Sequence, residues 1–355
     1  MTLLNISPSR ILGRFFPLPL PPDLSFEGQT VVVTGGTSGL GLATATKFYN
    51  LGANVIISCR NIAKGEEVRS KILAQSMNTT SSKATVMLAE LDMSTYASCV
   101  NFVDGLKQKL DNRAPDVVVL SAGSINPKFE LSPEGWEKTI QVNALSTALL
   151  GLLLVNWMKA DSINRTSLAH LVFVTSRDHL YADVSKWPEI AADDGILHHL
   201  SDPKDWPAWW VDDQPNYASS KMMAMYAFDK ICKLALDSDE EPLVIVKSVC
   251  PGTVKTNIGR GIAAASFVLK IMTPIYLWVL GKTSDHGARH CVNAAIKPKS
   301  EHGKFTIAWL TDEQYQKKAI FNRTSANGRK VQALVWKEMM DDFESKIPIF
   351  AKKNE

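Results

Sequence analysis

Residues 30–41 read Thr-Val-Val-Val-Thr-Gly-Gly-Thr-Ser-Gly-Leu-Gly. The β-branched run Thr30-Val-Val-Val33 is short and bounded by glycine, the pattern of a buried strand. Residues 40–50 then read as a helix that stops near Gly52. A strand that turns through glycines straight into a helix is the context of a dinucleotide fingerprint. Glycine permits the tight turn and the close approach of backbone to a pyrophosphate, whose charge settles on the helix N-terminus. Gly35, Thr37, Ser38, Gly39, Leu40 and Gly41 are therefore candidate cofactor-binding residues. The spacing is Gly-x-x-x-Gly-x-Gly, not Gly-x-Gly-x-x-Gly. A glycine turn with a purely structural role is the alternative.

The alternation continues. Strands are expected over residues 54–58, 84–91, 116–121, 170–175, 243–249 and 304–308. Helices are expected over 62–75, 96–110, 133–158 (in one piece or two), 217–236 and 328–345. Nearly continuous apolar strands separated by helices imply a parallel sheet covered on both faces. The expected fold is α/β, a doubly wound (Rossmann) parallel sheet of about seven strands. At 355 residues, with 45% apolar and 21% charged side chains, the chain suits one domain with a large core. A net charge of +3 and the absence of any run of five basic residues argue against nucleic acid as a partner. The five cysteines are scattered and suit reduced thiols in a cytosolic protein. Residues 1–27 read as an extended arm on a single domain of residues 28–355. The prolines of Phe15-Phe-Pro-Leu-Pro-Leu-Pro-Pro22 interrupt the apolar core that a signal peptide needs.

The cofactor's ribose gives a sharper expectation. Sites of this type usually place a carboxylate on the 2′-hydroxyl about 20 residues after the glycines. Here no Asp or Glu occurs between Glu27 and Glu66, and the second strand ends in Ser58-Cys-Arg60 with Lys64 a turn further on. A guanidinium is a planar fork suited to a 2′-phosphate. NADP(H) is expected over NAD(H), with Arg60 and Lys64 on the phosphate; a solvated Arg60 is the alternative. Asp92 is expected at the adenine edge, or as the N-cap of the helix from Tyr96.

Tyr217 and Lys221, in Tyr-Ala-Ser-Ser-Lys, are four residues apart and share one face of a helix. A phenol with a pKa of about 10 is a poor acid–base group at neutral pH, and a fixed cation beside it favours the phenolate. Lowering that pKa by about three units takes about 4 kcal/mol of differential interaction. Lys221, desolvated and helped by a cationic nicotinamide, is expected to supply it.

Together these positions resemble the short-chain dehydrogenase/reductase superfamily over residues 28 to about 303. Thr34 to Gly41 is similar to its Thr-Gly-x-x-x-Gly-x-Gly signature, and Asn143, Ser176, Tyr217 and Lys221 stand in the order of its catalytic tetrad. Pro251-Gly-Thr-Val-Lys-Thr256 is similar to its Pro-Gly-x-Val-x-Thr loop, which implies that Val254 and Thr256 hold the nicotinamide carboxamide. Ser121-Ala122-Gly123 stands where the family usually has Asn-Ala-Gly, so the serine is expected to bond backbone but to anchor the sheet less firmly. Phe26-x-Gly-Gln-Thr and Cys-Arg-Asn-x-x-Lys-Gly65 look like the retinol-dehydrogenase-like branch, especially fungal members that modify polyketide or terpenoid intermediates. The resemblance implies interconversion of a ketone and a secondary alcohol on a lipophilic small molecule. Ser176 would stabilise the substrate oxygen and Tyr217 would exchange its proton. Lys221 would bind the nicotinamide ribose, and Asn143 would hold a water. It also implies helices that pair subunits in a homodimer. Three other readings keep the fold: a retinol- or steroid-like membrane-associated dehydrogenase, a non-catalytic NADP-sensing protein, and an enzyme of dehydration or epimerisation.

Tyr217 follows Ser176 by 41 positions (217 − 176), and this stretch carries Trp187, Trp206, Trp209 and Trp210. A long aromatic loop suits a cap over a substrate mouth, taken as residues 178–214; indoles that only glue the insertion to the core are the alternative. Residues 262–280 are strongly apolar with Lys270 as their only charge. A substrate-pocket helix and a monotopic membrane contact are both open there. Pocket helices are taken as 258–296 and 328–346. His286 and His290 have i,i+4 spacing but no third ligand, so no metal is expected. The expected location is cytoplasmic, or peripheral on an internal membrane.

Overall fold

The computed structural model describes residues 15–75, 83–206, 216–256, 277–278, 280–307 and 309–351. Seven strands form one sheet: β1 (Thr30–Val33), β2 (Asn54–Cys59), β3 (Val86–Glu90), β4 (Val117–Leu120), β5 (Ala169–Val174), β6 (Val244–Cys250) and β7 (Phe305–Ile307). Their order is β3-β2-β1-β4-β5-β6-β7, and every pair is parallel. This is the expected doubly wound sheet. Its order reverses between β1 and β4, which opens a crevice at the carboxyl ends of these strands, where ligands of such sheets bind.

The period of two in each strand divides the core. Val31, Val33, Val55, Ile57, Val117 and Val119 face one side, and Val32, Ile56 and Val118 face the other. The first face is covered by α1 (Gly39–Asn50) and α2 (Ile62–Gln75) through Phe48 and Ile72, among others. The second is covered by α3 (Tyr96–Lys109), through Phe102 and Leu106. Each fully buried Val, Ile or Phe contributes about 1.5–3 kcal/mol of transfer free energy, which is why strands without one polar position still form. A Thr95 cap, accepting from the Ser98 amide, starts α3. Asp92 is not that cap; its carboxylate accepts the Ser94 amide in a local turn.

The helix expected over residues 133–158 is interrupted. A short α4 (Lys138–Ile140) passes through a π-helical turn (Gln141–Leu145) into α5 (Ser146–Ala160). The start falls at Glu137, whose carboxylate accepts the Thr139 and Ile140 amides and caps the helix. Burial raises the Glu137 pKa, and these amides pull against that rise. The helical stretch Lys138–Asn164 is long and apolar enough to cross a membrane by length and composition, yet it is mostly buried inside the fold.

After Ser176 the chain forms a 3-10 turn (Arg177–Tyr181), α6 (Trp187–Asp193) and α7 (Ile196–Leu200). Then come α8 (Tyr217–Leu234), α9 (Ser284–Ala294), α10 (Asp312–Ala319), a second π-helical turn (Ile320–Thr324) and α11 (Ala326–Lys346). The described part of the expected cap is packed, not draped. Trp187, Ile196 and Leu197 are buried in the core, so Trp187 takes the glue role. Trp206 meets Phe129 edge-on at 5.4 Å, while Trp209 and Trp210 lie outside the described residues. So do residues 1–14 of the arm and residues 257–276, which hold most of the apolar stretch. The described arm rests on the domain: Phe26 meets Phe48 edge-on at 4.9 Å, and Arg289 donates to the Leu18 carbonyl.

Candidate active site

The glycine loop is held open by its neighbours. Ser58, at the end of β2, accepts the Gly35 amide at 3.0 Å. A Cβ on Gly41 would stand 2.3 Å from the Gly35 carbonyl oxygen, so only glycine lets α1 start this close to β1. The helix begins at Ser38, whose extended backbone makes no side-chain cap bond, and no acidic residue occupies the first turn. The leading amides of α1 therefore meet no acidic side chain of their own first turn, which suits a pyrophosphate. Thr256 reaches this cradle: a Cβ on Gly39 would lie 3.1 Å from Thr256 Cβ. Val254 and Leu40 meet over Gly287 in the same way. The loop that starts at the buried Pro251 is tied down by Lys282, whose amide donates to the Thr253 carbonyl. Arg60 and Lys64 are exposed at the far end of β2, clear of the core.

Four side chains converge at the ends of β4 and β5. Lys221 is buried, and its ammonium donates to the Val174 carbonyl at 3.5 Å. The ammonium lies 5.7 Å from the centre of the Tyr217 ring, so the two share one face of α8 as their spacing requires. Ser176 caps the following 3-10 turn, accepting the Asp178 amide, and also hydrogen-bonds Tyr217. Asn143 sits in the π-helical turn with both amide protons and one acceptor position of its oxygen engaged. It donates to the Ser124 carbonyl and Ser220 Oγ, and accepts the Ser124 amide. Asn143 and Lys221 approach each other across Gly123, where an added Cβ would lie 3.1 Å from Asn143 Oδ1 and 3.6 Å from Lys221 Nζ.

The electrostatics differ from the expectation in one respect. Burial raises the Tyr217 pKa above its ordinary value, Asp178 raises it further, and the Ser176 hydrogen bond opposes both. Lys221 does not overcome them. Its own pKa is lowered by burial to about 8, with Cys250 and Asp178 pulling it back up. In the protein alone the phenol is thus firmly protonated, and the buried amine carries the more labile proton.

The short chain dehydrogenase family profile matches residues 29–184. Over 333 residues the sequence is 31% identical to the short-chain dehydrogenase/reductase ffsI of Aspergillus flavipes, covering 93% of this chain and 90% of that relative. The chain belongs to the short-chain dehydrogenase/reductase family. Another fungal relative, the short-chain dehydrogenase/reductase phmF of Phaeosphaeria nodorum, is 31% identical over 90% of this chain and 88% of its own. Among solved structures, the fold is similar to RhlG of Pseudomonas aeruginosa in an NADP complex. That match has a TM-score of 0.57 and 18% identity, and covers 81% of this chain and 97% of that one. It is also similar to L-sorbose reductase of Gluconobacter frateurii, with a TM-score of 0.58 and 15% identity over 80% and 96% of the two chains.

One departure from the family pattern resolves differently from its expectation. Among the described residues Ser121 Oγ is buried with no partner, so it bonds no backbone group there. Thr34 takes over instead: its hydroxyl accepts both the Ser121 and Ala122 amides, at 2.9 and 3.1 Å. Five contributors escaped the sequence reading. Ser58 and Thr34 shape the cradle, Ser220 and Ser124 clamp Asn143, and Asp178 biases Tyr217. Thr34 alone carried a local signal, its place directly before the glycines. Among the described residues no group of three His, Cys, Asp or Glu side chains could hold a metal, and His290 is held well below its usual range, to about 4, by burial and then Lys282.

Proposed function

We propose that this family member is an NADP(H)-dependent oxidoreductase interconverting a ketone and a secondary alcohol on a lipophilic small molecule, in a biosynthetic setting like that of fungal polyketide or terpenoid modification. The observation that carries the reading is the meeting of Ser176, Tyr217 and Lys221 at the strand ends beside a glycine cradle. The uncapped α1 N-terminus, with a backbone that only glycine permits, fits a pyrophosphate. Arg60 and Lys64, with no carboxylate between residues 27 and 66, favour a phosphorylated ribose. The two solved neighbours were obtained with NADP and NADPH respectively.

When bound, the nicotinamide supplies or accepts the hydride. Ser176 donates a hydrogen bond to the substrate oxygen and stabilises the charge that develops there. Tyr217, protonated at neutral pH, gives its proton to that oxygen in the reducing direction and takes it back in the other. Lys221 stays cationic near neutral pH, steadies the phenolate that forms, and holds the ribose hydroxyls. Asn143 fixes the turn over Gly123, and a water carried there links Lys221 to solvent. Asp92, Ser121, Ala122, Gly123, Pro251, Val254 and Thr256 line the cofactor.

The test is NADPH oxidation with a panel of apolar aryl and cyclic ketones. Tyr217→Phe should lower turnover by about 10²–10⁴-fold, with NADPH affinity unchanged by fluorescence titration. Retention of more than a tenth of the activity would refute the role of Tyr217.

A further inference from the structure

The carbonyl of Ser176 is bound by a chain of buried side chains that no step above uses. His179, fully buried, places Nδ1 2.5 Å from the Ser176 oxygen and Nε2 3.0 Å from the Tyr315 hydroxyl. Arg323 donates to the same hydroxyl through Nη1, and its Nε and Nη2 grip the Asp229 carboxylate. Gln332 donates to Asp229 as well, at 2.8 Å. Asp229 lies on α8, three turns beyond Tyr217.

Donor and acceptor chemistry gives this chain one direction. A guanidinium only donates, so the Tyr315 oxygen accepts from Arg323 and turns its own proton toward His179 Nε2. Nε2 must then be the bare nitrogen, which puts the ring proton on Nδ1, and a carbonyl oxygen can only accept it. A charged imidazolium would break the chain at Nε2. Burial holds His179 far below its usual range, at about 3, so the ring is neutral. The same segment braces the rest of the turn: Asn322 donates to the Ala182 carbonyl at 2.9 Å, and Tyr226 holds the Asn322 carbonyl at 2.6 Å. Tyr315, Asn322 and Arg323 all lie beyond the residues 29–184 that match the family profile.

We propose that Arg323, Tyr315 and His179 form a one-way hydrogen-bond relay that positions Ser176, so that the C-terminal segment of this chain sets the geometry of the residue facing the substrate oxygen. These are positioning residues. The inference rests on the reading of Ser176 given above, and its test separates the two.

Tyr315→Phe removes one hydroxyl, leaves Arg323 paired to Asp229 and frees His179 to reorient. Turnover of the ketone panel with NADPH is compared in four proteins: wild type, Tyr315→Phe, Ser176→Ala and the double variant. Tyr315→Phe should lower kcat by about 10- to 100-fold, the scale of a 1 Å misplacement, with KM for NADPH unchanged. In the Ser176→Ala background it should cost nothing further. Equal losses in both backgrounds, or no loss in the wild-type background, overturn the relay. Ser176→Ala with full activity would instead sink the role of Ser176. Amide hydrogen exchange then judges the relay without turnover. The amides of Asp178, His179 and Ala182, bound to Ser176 Oγ, the Ser176 carbonyl and the His179 carbonyl, should exchange at least about 10-fold faster in Tyr315→Phe while β1 is unchanged. Unchanged exchange at these amides overturns it.

Discussion

Lys221 gives a prediction whose sign is unusual for a buried site. Burial lowers its pKa from 10.5 to about 8, so the native state releases this proton more readily than the unfolded chain. Between those two values the unfolded state binds more protons, and the stability contributed by this group rises with pH. It is complete above the unfolded value of 10.5 and lost as pH falls to about 8. At pH 7 the lysine is charged in both states, and keeping that charge buried costs about 3 kcal/mol, from the difference in pKa at about 1.36 kcal/mol per unit. At pH 10 the residual cost is about 1 kcal/mol. Lys221→Met keeps the length of the side chain and removes the charge, giving up the 3.5 Å bond to the Val174 carbonyl and the cation's approach to the Tyr217 ring. Urea unfolding without nucleotide should therefore find the variant more stable than wild type, by about 3 kcal/mol at pH 7 and about 1 kcal/mol at pH 10. Other lysines titrate equally in both proteins and cancel. A variant less stable at pH 7, or a gap that does not change between the two pH values, would show that burial of the Lys221 charge carries no such cost.

Three further outcomes follow from particular contacts. Arg60→Ala should reduce the preference for NADPH over NADH by about 10- to 100-fold, the worth of a hydrogen-bonded charge pair; equal binding titrations before and after would remove Arg60 from the 2′-phosphate. Gly41→Ala drives a Cβ to 2.3 Å from the Gly35 carbonyl oxygen, so NADPH affinity should fall by at least about 100-fold while circular dichroism stays native. Glu338→Ala frees the amides of Ile196 and Leu197, each 2.9 Å from its carboxylate. The loss of this cap should cost about 0.5–2 kcal/mol in urea and loosen α7 in hydrogen exchange.

The sheet was legible because its strands are buried on both faces and carry their signal within three to seven consecutive residues. β1, with Thr30-Val-Val-Val33 running into glycines, announced itself and the cradle together. Tyr217 and Lys221 were equally plain, since four residues on a helix decide whether two side chains meet. What the sequence concealed depends on distant partners. The sign of the Tyr217 shift is set by enclosure and by Asp178, 39 positions away (217 − 178), not by the lysine one turn on. Trp187 looked like a substrate wall because indole content alone does not say which way a ring faces; the core claimed it. The helices α6 and α7 are too short to show a period. The polar α10 did carry a readable start, the Thr311-x-x-Gln314 capping box, which the apolar-pattern reading passed over. His179 met Tyr315 across 136 residues, a separation no local pattern spans.

The most direct test of the account follows a single hydrogen. NADPH deuterated at the hydride position is incubated with the protein and the ketone panel, and the alcohol product is weighed by mass spectrometry. Wild type should form alcohol carrying one deuterium on the carbinol carbon, about 10²–10⁴-fold faster than Tyr217→Phe. Product that forms without deuterium, or NADPH bound at the glycine loop with no ketone reduced, would contradict it.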